Sequence, residues 1–159
     1  MQPGILLALA SAVLFGASTP LARLLPGAEL VIVTTPQLAA AEVAKRAGTL
    51  VTQTHQRVVG VIENMSYLLC PHCGEAMDVF GSGGGETVAA ALTRLTGVEV
   101  PLLGQVPLDV RLREGGDSGT PLVLSDPSAP ASVQLIKMAE SLASKGRGLA
   151  GRMLSLSPR

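Results

Sequence analysis

Short apolar runs alternate with longer amphipathic stretches from residue 29 onward. Three runs are rich in β-branched and aliphatic residues: ELVIVTT (29–35), RVVGVIENM (57–65) and VPLLGQVP (100–107). Runs of this length and composition predict buried strands. Because amphipathic stretches separate them, the pattern predicts βαβ units and a parallel sheet covered by helices on both faces.

The first amphipathic stretch, residues 36–54, repeats apolar side chains at helical spacing. One stripe of this predicted helix should face the sheet, and it consists of Leu38, Ala41, Val43 (or Ala44), Ala47 and Val51.

Two further helices are predicted on the same grounds. GETVAAALTRLTG is a helix that Gly97 closes. The last helix has Ser128 as its N-cap, Pro130 in its first turn and Gly146 after its end. The predicted fold class is therefore α/β, with a partial parallel sheet of only three clear strands and flanking helices.

Residues 1–22 contain no charged side chain, and Arg23 is the first. Such a run is long enough for a transmembrane helix, while a buried N-terminal helix is the alternative. We expect three regions: an apolar helix over residues 1–25, an α/β domain over 26–146 and a flexible tail over 147–159. Membrane contact is expected only through residues 1–25.

Composition excludes several classes of protein. Twelve basic side chains balance twelve acidic ones, so no nucleic-acid partner is expected. Charged residues make up 15% and aromatic residues 2%, which is typical of aliphatic α/β packing. Two cysteines in 159 residues cannot form the framework of a disulfide-stabilised secreted fold.

A glycine-rich loop, FGSGGGET (80–87), precedes the second predicted helix. A phosphate-binding P-loop requires G-x-x-x-x-G-K-[ST], and here Glu86 stands where a cation would be needed. The loop is therefore interpreted as a flexible turn and helix start.

The two cysteines, Cys70 and Cys73, lie in the sequence LCPHCGE. Four interpretations are open: a thiol–disulfide oxidoreductase, half of a zinc site, half of an iron–sulfur site shared by two chains, or two inert thiols. A long helix after the second cysteine would favour the oxidoreductase, but GEAMDVFGSGGG cannot form one. Closed zinc sites and [4Fe–4S] clusters need four ligands, and His72 would point away from a metal that Cys73 binds.

Several segments together resemble the C-terminal half of the Mrp/ApbC-type P-loop ATPases, iron–sulfur cluster carriers related to MinD and ParA. They are VTTPQLAAAEVAKRAG, VVGVIENMSYLLCPHCGEAMDVFGSGGGE, VPLLGQVPLD and GDSGTPLVL. The resemblance implies a cytoplasmic homodimer in which Cys70 and Cys73 of each copy bind half of a bridging [4Fe–4S] cluster. It also implies ATP-coupled transfer of the cluster to apo iron–sulfur proteins. By position, Asn64 matches a residue associated with adenine recognition, and Pro107 and Asp109 match the loop that closes over the base.

The chain also departs from this family. The Walker A loop and the Asp-Pro-Pro-Gly-Thr switch would lie upstream of Glu29, and neither is present. In their place, residues 1–23 resemble the first membrane helix of drug/metabolite-type transporters. We therefore expect a truncated or fused carrier half that binds ATP and Mg²⁺ only as part of a full-length family member. A non-enzymatic metal-binding or interaction module and a thiol oxidoreductase remain as alternatives.

Overall fold

The computed structural model describes residues 29–53 and 56–144. The expected N-terminal helix, the expected tail and Gly146 lie outside the described residues. Within them, strands and helices follow one another in this order: β1 (Glu29–Thr34), α1 (Leu38–Gln53), β2 (Arg57–Asn64), β3 (Leu68–Leu69), β4 (Ala76–Met77), α2 (Gly84–Thr96), β5 (Leu102–Val106), α3 (Val110–Ser118), α4 (Leu122–Ser125) and α5 (Pro130–Ser144).

The main sheet of the described chain has three parallel strands in the order β1-β2-β5. All three are the strands that the apolar runs predict. β2 is central, and its last residue, Asn64, is level with Val106 at the end of β5. The carboxyl ends of β2 and β5 therefore lie side by side at one edge of the sheet.

Helices cover both faces of this sheet, as the alternating pattern predicts. On one face, α1 and α2 pack on β1 and β2 around Val61, Val88 and Leu92. On the other, α5 packs on β5 and α4 packs on α5, around Val106 and Met138. Neighbouring β2 residues point to opposite faces, so Val61 belongs to the first core and Ile62 contacts the second.

The predicted stripe of α1 is partly wrong. Ala41, Ala44 and Val51 are buried, but Leu38 is 80% exposed and Val43 is 65% exposed. The buried face of α1 also carries Gly48, where an added Cβ would lie 2.1 Å from Leu92 Cδ2. Because α1 approaches α2 this closely, small residues occupy the contact, and Ala44 rather than Val43 faces the core.

The helix ends confirm one predicted cap and correct another. Gly97 closes α2 with φ 69°, and its N–H donates to Thr93 O. Ser128 does not cap α5: its hydroxyl donates to Asp126 Oδ1 at 2.6 Å, and the helix begins two residues later at Pro130. The side chain of Asp126 attracts the hydroxyl away from the helix.

Within residues 29–53 and 56–144, no helix combines the length and the apolar character needed to span a bilayer.

Candidate functional site

Both cysteines lie in a small hairpin that leaves the main sheet after β2. β3 and β4 pair in antiparallel fashion, and Cys70 and Cys73 lie in the connection between them. Cys70 N–H donates to Glu75 O at 2.9 Å, and Gly74 N–H donates to Cys70 O at 2.8 Å. Gly74 has φ 75°, a left-handed conformation that glycine adopts without steric cost. These features hold the two thiols on one tight turn.

The turn favours the thiolate form of one cysteine. Cys70 is half-buried, Cys73 is exposed, and both thiols are free. The pKa of the Cys70 thiol is lowered, chiefly by the backbone N–H of Cys73 and next by the backbone N–H of His72. Because the thiolate is the form that binds metals, Cys70 on this turn is chemically suited to act as a metal ligand.

One chain supplies few ligands at this turn. No group of three or more His, Cys, Asp or Glu side chains within residues 29–53 and 56–144 is arranged to hold a metal ion. A closed tetrahedral site or a cubane cluster takes four protein ligands. Within the described residues, the turn offers two thiols, which is fewer than the four ligands of such a site.

Two of the residues implied by the family resemblance meet at the carboxyl edge of the sheet. Asn64 ends β2 and is exposed, and its Oδ1 accepts from Met65 N–H at 2.9 Å. Pro107 is buried and directly follows β5, the strand paired with β2. The carboxyl edge of a parallel sheet is the usual ligand-binding edge in α/β proteins.

Asp109 has partners of its own two residues further along. It is the N-cap of α3, and its carboxylate accepts from Arg111 N–H at 2.9 Å. Arg111 Nη2 also lies 2.8 Å from Asp109 Oδ2, while Nη1 lies 3.0 Å from Asp126 Oδ2. The hydrogen bond from the Arg111 side chain lowers the pKa of Asp109. Asp109 therefore orders the start of α3, a role that sequence analysis missed.

Backbone hydrogen bonds join the cysteine segment to this loop. Ser66 N–H donates to Val106 O at 3.0 Å, and Leu108 N–H donates to Tyr67 O at 2.7 Å. They continue the β2–β5 pairing beyond the end of the sheet. The start of the cysteine hairpin is thus attached to the loop that carries Pro107 and Asp109.

Glu63 is the functional candidate that sequence analysis missed. It has no exposed surface, and its carboxyl oxygens accept from Gly85 N–H and from Gln105 Nε2. The signal in the sequence was an acidic residue inside an otherwise apolar strand, VVGVIENM. A polar group at such a position needs hydrogen-bond partners, so its presence indicates a specific contact.

The glycine-rich loop begins a helix, as predicted, but part of it is tightly packed. Gly84 and Gly85 are buried at the start of α2. A Cβ on Gly84 would lie 2.6 Å from Pro36 O, so a larger residue would collide with backbone. Gly84 and Gly85 therefore form the predicted helix start, and their close packing leaves no room for a side chain.

Comparison with solved structures identifies the fold. The chain superposes on the cell division ATPase MinD of Pyrococcus furiosus with a TM-score of 0.56 and 22% identity, covering 74% of this chain and 43% of that one. For septum site-determining protein MinD of Pyrococcus horikoshii, solved with Mg-ADP, the TM-score is 0.55 and the identity 24%, over 79% and 43% of the two chains. The described residues thus share the fold of part of the MinD chain.

Sequence comparison identifies the family. The chain is 57% identical over 137 residues to the iron-sulfur cluster carrier protein of Mycobacterium tuberculosis, covering 86% of this chain and 36% of that protein. It is 40% identical over 121 residues to the protein of the same name from Pyrococcus horikoshii, covering 76% and 39%. The chain therefore spans little more than a third of the length of these relatives. The ParA family profile, described as "NUBPL iron-transfer P-loop NTPase", matches residues 17–143. Since this match includes most of the chain, the protein belongs to the NUBPL-type iron-transfer P-loop NTPases.

Proposed function

We propose that this chain is the cluster-binding part of an iron–sulfur cluster carrier. In this proposal Cys70 and Cys73 provide two of the four thiolates that hold a [4Fe–4S] cluster, and a second copy of the chain provides the other two. The cluster is cargo, delivered to apo iron–sulfur proteins in the cytoplasm, where thiols stay reduced. The observation that carries the proposal is the exposed turn with two free thiols and no further ligands among the described residues.

The surroundings of the turn support a contact between two copies. Met77 is 43% exposed and Val79 is 52% exposed, although both are apolar and lie within six residues of Cys73. Burial of such side chains against a partner would contribute favourably to association. The same surface would exclude water from a cluster held between the copies.

Nucleotide binding is proposed only for the full-length arrangement of the family. Asn64 and Pro107 lie at the carboxyl edge of the sheet, where an adenine ring could be recognised, and Asp109 orders the adjoining helix. Phosphoryl transfer also needs a phosphate-binding loop, its lysine and a Mg²⁺ site. The sequence contains no G-x-x-x-x-G-K-[ST] motif, so this chain alone is expected not to hydrolyse ATP.

Anaerobic reconstitution with iron and sulfide tests the proposal. We expect about one [4Fe–4S] cluster for two chains, measured as iron and acid-labile sulfide per mole of protein, together with a shift to dimer in light scattering. Cys70→Ser and Cys73→Ser should each abolish cluster binding and the shift. His72→Ala is the matched control, because it changes the same turn but leaves the backbone N–H groups and both thiols in place.

Three results would overturn this assignment. A stable monomer that holds a complete cluster would show that the second copy is not needed. Preferential retention of zinc after exposure to both metals would make the turn a zinc site. A Cys70–Cys73 disulfide that exchanges with thiol partners would favour an oxidoreductase.

A further inference from the structure

Glu63 is a fully buried acidic residue at the base of the cysteine segment, which we define as residues 64–84. The chain leaves the main sheet after Asn64, carries Cys70 and Cys73, and forms α2 from Gly84 onward, so Glu63 and Gly85 lie next to the two ends of this segment. Glu63 and Gly85 are 22 positions apart in sequence and joined by a hydrogen bond. The two ends of the cysteine segment therefore meet at Glu63.

Every polar atom of Glu63 beyond its strand pairing has a specific partner. Oε2 accepts from Gly85 N–H, and Oε1 accepts from Gln105 Nε2 at 2.8 Å. Its carbonyl oxygen accepts from the Ser66 hydroxyl at 2.9 Å. One residue thus contacts the outgoing end of the cysteine segment, its returning end and the neighbouring strand β5.

The start of α2 needs a partner of this kind. Its N-cap is Gly83, which has no side chain to accept from the free N–H groups of the first turn. The Glu63 carboxyl group supplies that acceptor, since its Oε2 accepts from Gly85 N–H.

Gly85 is shaped to receive this carboxyl group. A Cβ at this position would lie 2.8 Å from Glu63 Cβ and 2.9 Å from Leu102 Cδ1. Any larger residue would therefore push α2 away from β2 and weaken the hydrogen bond.

We propose that Glu63 is a positioning residue that clamps the two ends of the cysteine segment to β5 and so fixes the Cys70–Cys73 turn for metal binding. Without the clamp, the segment would remain attached mainly through its first residues. Ser66 and Tyr67 would still form their backbone hydrogen bonds with Val106 and Leu108. Ordering a loop of this length costs conformational entropy. Because the clamp orders the segment in advance, metal binding has to offset less of that cost. The consequence for cluster binding rests on the proposed function, whereas the clamp itself does not.

Three substitutions at Glu63 and Gln105 separate the clamp from ordinary packing. Glu63→Gln keeps the length of the side chain; its amide oxygen can accept from Gly85 N–H, and its NH₂ group can donate to Gln105 once that amide turns over. Glu63→Asp is one methylene shorter and cannot reach both partners. Gln105→Ala removes the hydrogen bond to Glu63 Oε1 and leaves the one from Gly85 in place. Gln105 is half-buried.

A glycine pair provides an independent test with a matched control. Gly85→Ala should displace Glu63 through the collision described above. Gly116→Ala makes the same chemical change in a helix where the added methyl meets no atom within 4 Å. Only the first variant should loosen the cysteine segment.

Hydrogen exchange of the metal-free chain measures the clamp directly. In Glu63→Asp and Gly85→Ala we expect the hydrogen-bonded amides of the segment, those of Ser66, Cys70 and Gly74 among them, to exchange about tenfold faster. The loss of one net hydrogen bond is worth roughly that factor. Protection in β1 and α5 should stay within about twofold of the parent chain. Glu63→Gln should restore the slow exchange, and Gln105→Ala should give a smaller local increase.

Retention of iron by the reconstituted chain then tests the consequence. Iron loss to a chelator should be about tenfold faster in Glu63→Asp than in the parent, and Glu63→Gln should be close to the parent. If the parent chain binds no iron but the local exchange pattern holds, the proposed function fails and the positioning role stands.

Two outcomes would refute the positioning role. Exchange that rises equally in β1, α5 and the cysteine segment would mean that Glu63 merely stabilises the whole fold. Unchanged exchange in Glu63→Asp and Gly85→Ala would mean that the contact holds nothing in place. If Glu63→Asp fails to fold, Gln105→Ala serves in its place: faster exchange in the cysteine segment alone supports the positioning role, and an equal rise throughout the fold refutes it.

Discussion

Gly48 of α1 packs closely against Leu92 of α2, and this contact allows a quantitative test of the packing. A methyl group added to Gly48 would lie 2.1 Å from Leu92 Cδ2, but 3.6 Å from Leu92 Cγ and 3.5 Å from Leu95 Cδ2. A single atom therefore causes the collision. Leu92 is only 1% exposed and belongs to the buried core cluster, so its side chain can move only by displacing packed neighbours.

The free energy of unfolding should respond to two opposing effects in Gly48→Ala. Overpacking costs about 1–3 kcal/mol. Alanine in place of glycine inside a helix returns about 1 kcal/mol. We expect a net destabilisation of about 1 kcal/mol.

A second substitution at the partner residue should reverse the sign. Leu92→Val removes the colliding Cδ2 atom and should cost about 1 kcal/mol by itself, for one methylene and a small cavity. In that background Gly48→Ala should stabilise the protein by up to about 1 kcal/mol, because only the gain in helix propensity remains. The coupling energy between the two sites is then about 2 kcal/mol.

Urea denaturation followed by far-ultraviolet circular dichroism measures all four members of this cycle. The slope of the free energy against urea should not change, so that midpoints can be compared directly. Gly116→Ala is the control, and it should stabilise α3 by about 0.5–1 kcal/mol because its methyl meets open space. The same loss from Gly48→Ala in both backgrounds would refute the collision as its cause.

Further predictions concern single side chains and caps. Asp109→Ala should cost about 1 kcal/mol, whereas Asp109→Asn should keep the α3 cap. Arg111 lowers the pKa of Asp109, so the ion pair should contribute fully to the free energy of unfolding above the ordinary carboxyl pKa of about 4. That contribution should vanish as the pH falls through the lowered pKa of the folded state. Acid titrations of stability should show this loss in the parent chain but not in Asp109→Asn. Ser132→Ala should leave the urea midpoint unchanged or raise it, since the buried Ser132 hydroxyl has no hydrogen-bond partner within the described residues. Gly97→Ala should lower the thermal midpoint by the equivalent of about 1 kcal/mol, and Gly97→Asn by less, because φ is 69° there.

The elements that local sequence can predict are the long ones. The three parallel strands are predictable as continuous β-branched apolar runs, and the helix closed by Gly97 combines helical periodicity with a clear end signal. β3 and β4 are two residues each and α4 is four, which is too short for any periodicity to be visible. Val43 and Ala44 could not be separated by pattern, since both are apolar neighbours and the choice depends on how closely α1 approaches α2.

The candidate site divides in the same way. Cys70 and Cys73 could be found from their spacing, because a C-P-x-C-G turn is a local structure that needs only adjacent residues. Their roles in cluster binding, and those of Asn64, Pro107 and Asp109 in nucleotide binding, stay predictions. Asp109 pairs with Arg111 and caps α3. Both contacts depend on where α3 begins, and the hydrophobic pattern does not show that position.

By itself, the sequence determined the alternation of strands and helices, the parallel sheet and the position of the thiols on one turn. The strands, the helices and the turn depend on residues close together in the chain, and the parallel direction follows from the helix between successive strands. Only the tertiary structure decided that Glu63 meets Gly85 and Gln105, which are 22 and 42 positions away. That contact exists because β2 and β5 pair in a register that places Glu63 level with Gln105, and because two glycines let α2 begin against the end of β1. Register and close approach between distant segments leave no periodic signal in the sequence, so the acidic residue inside an apolar strand was their only trace.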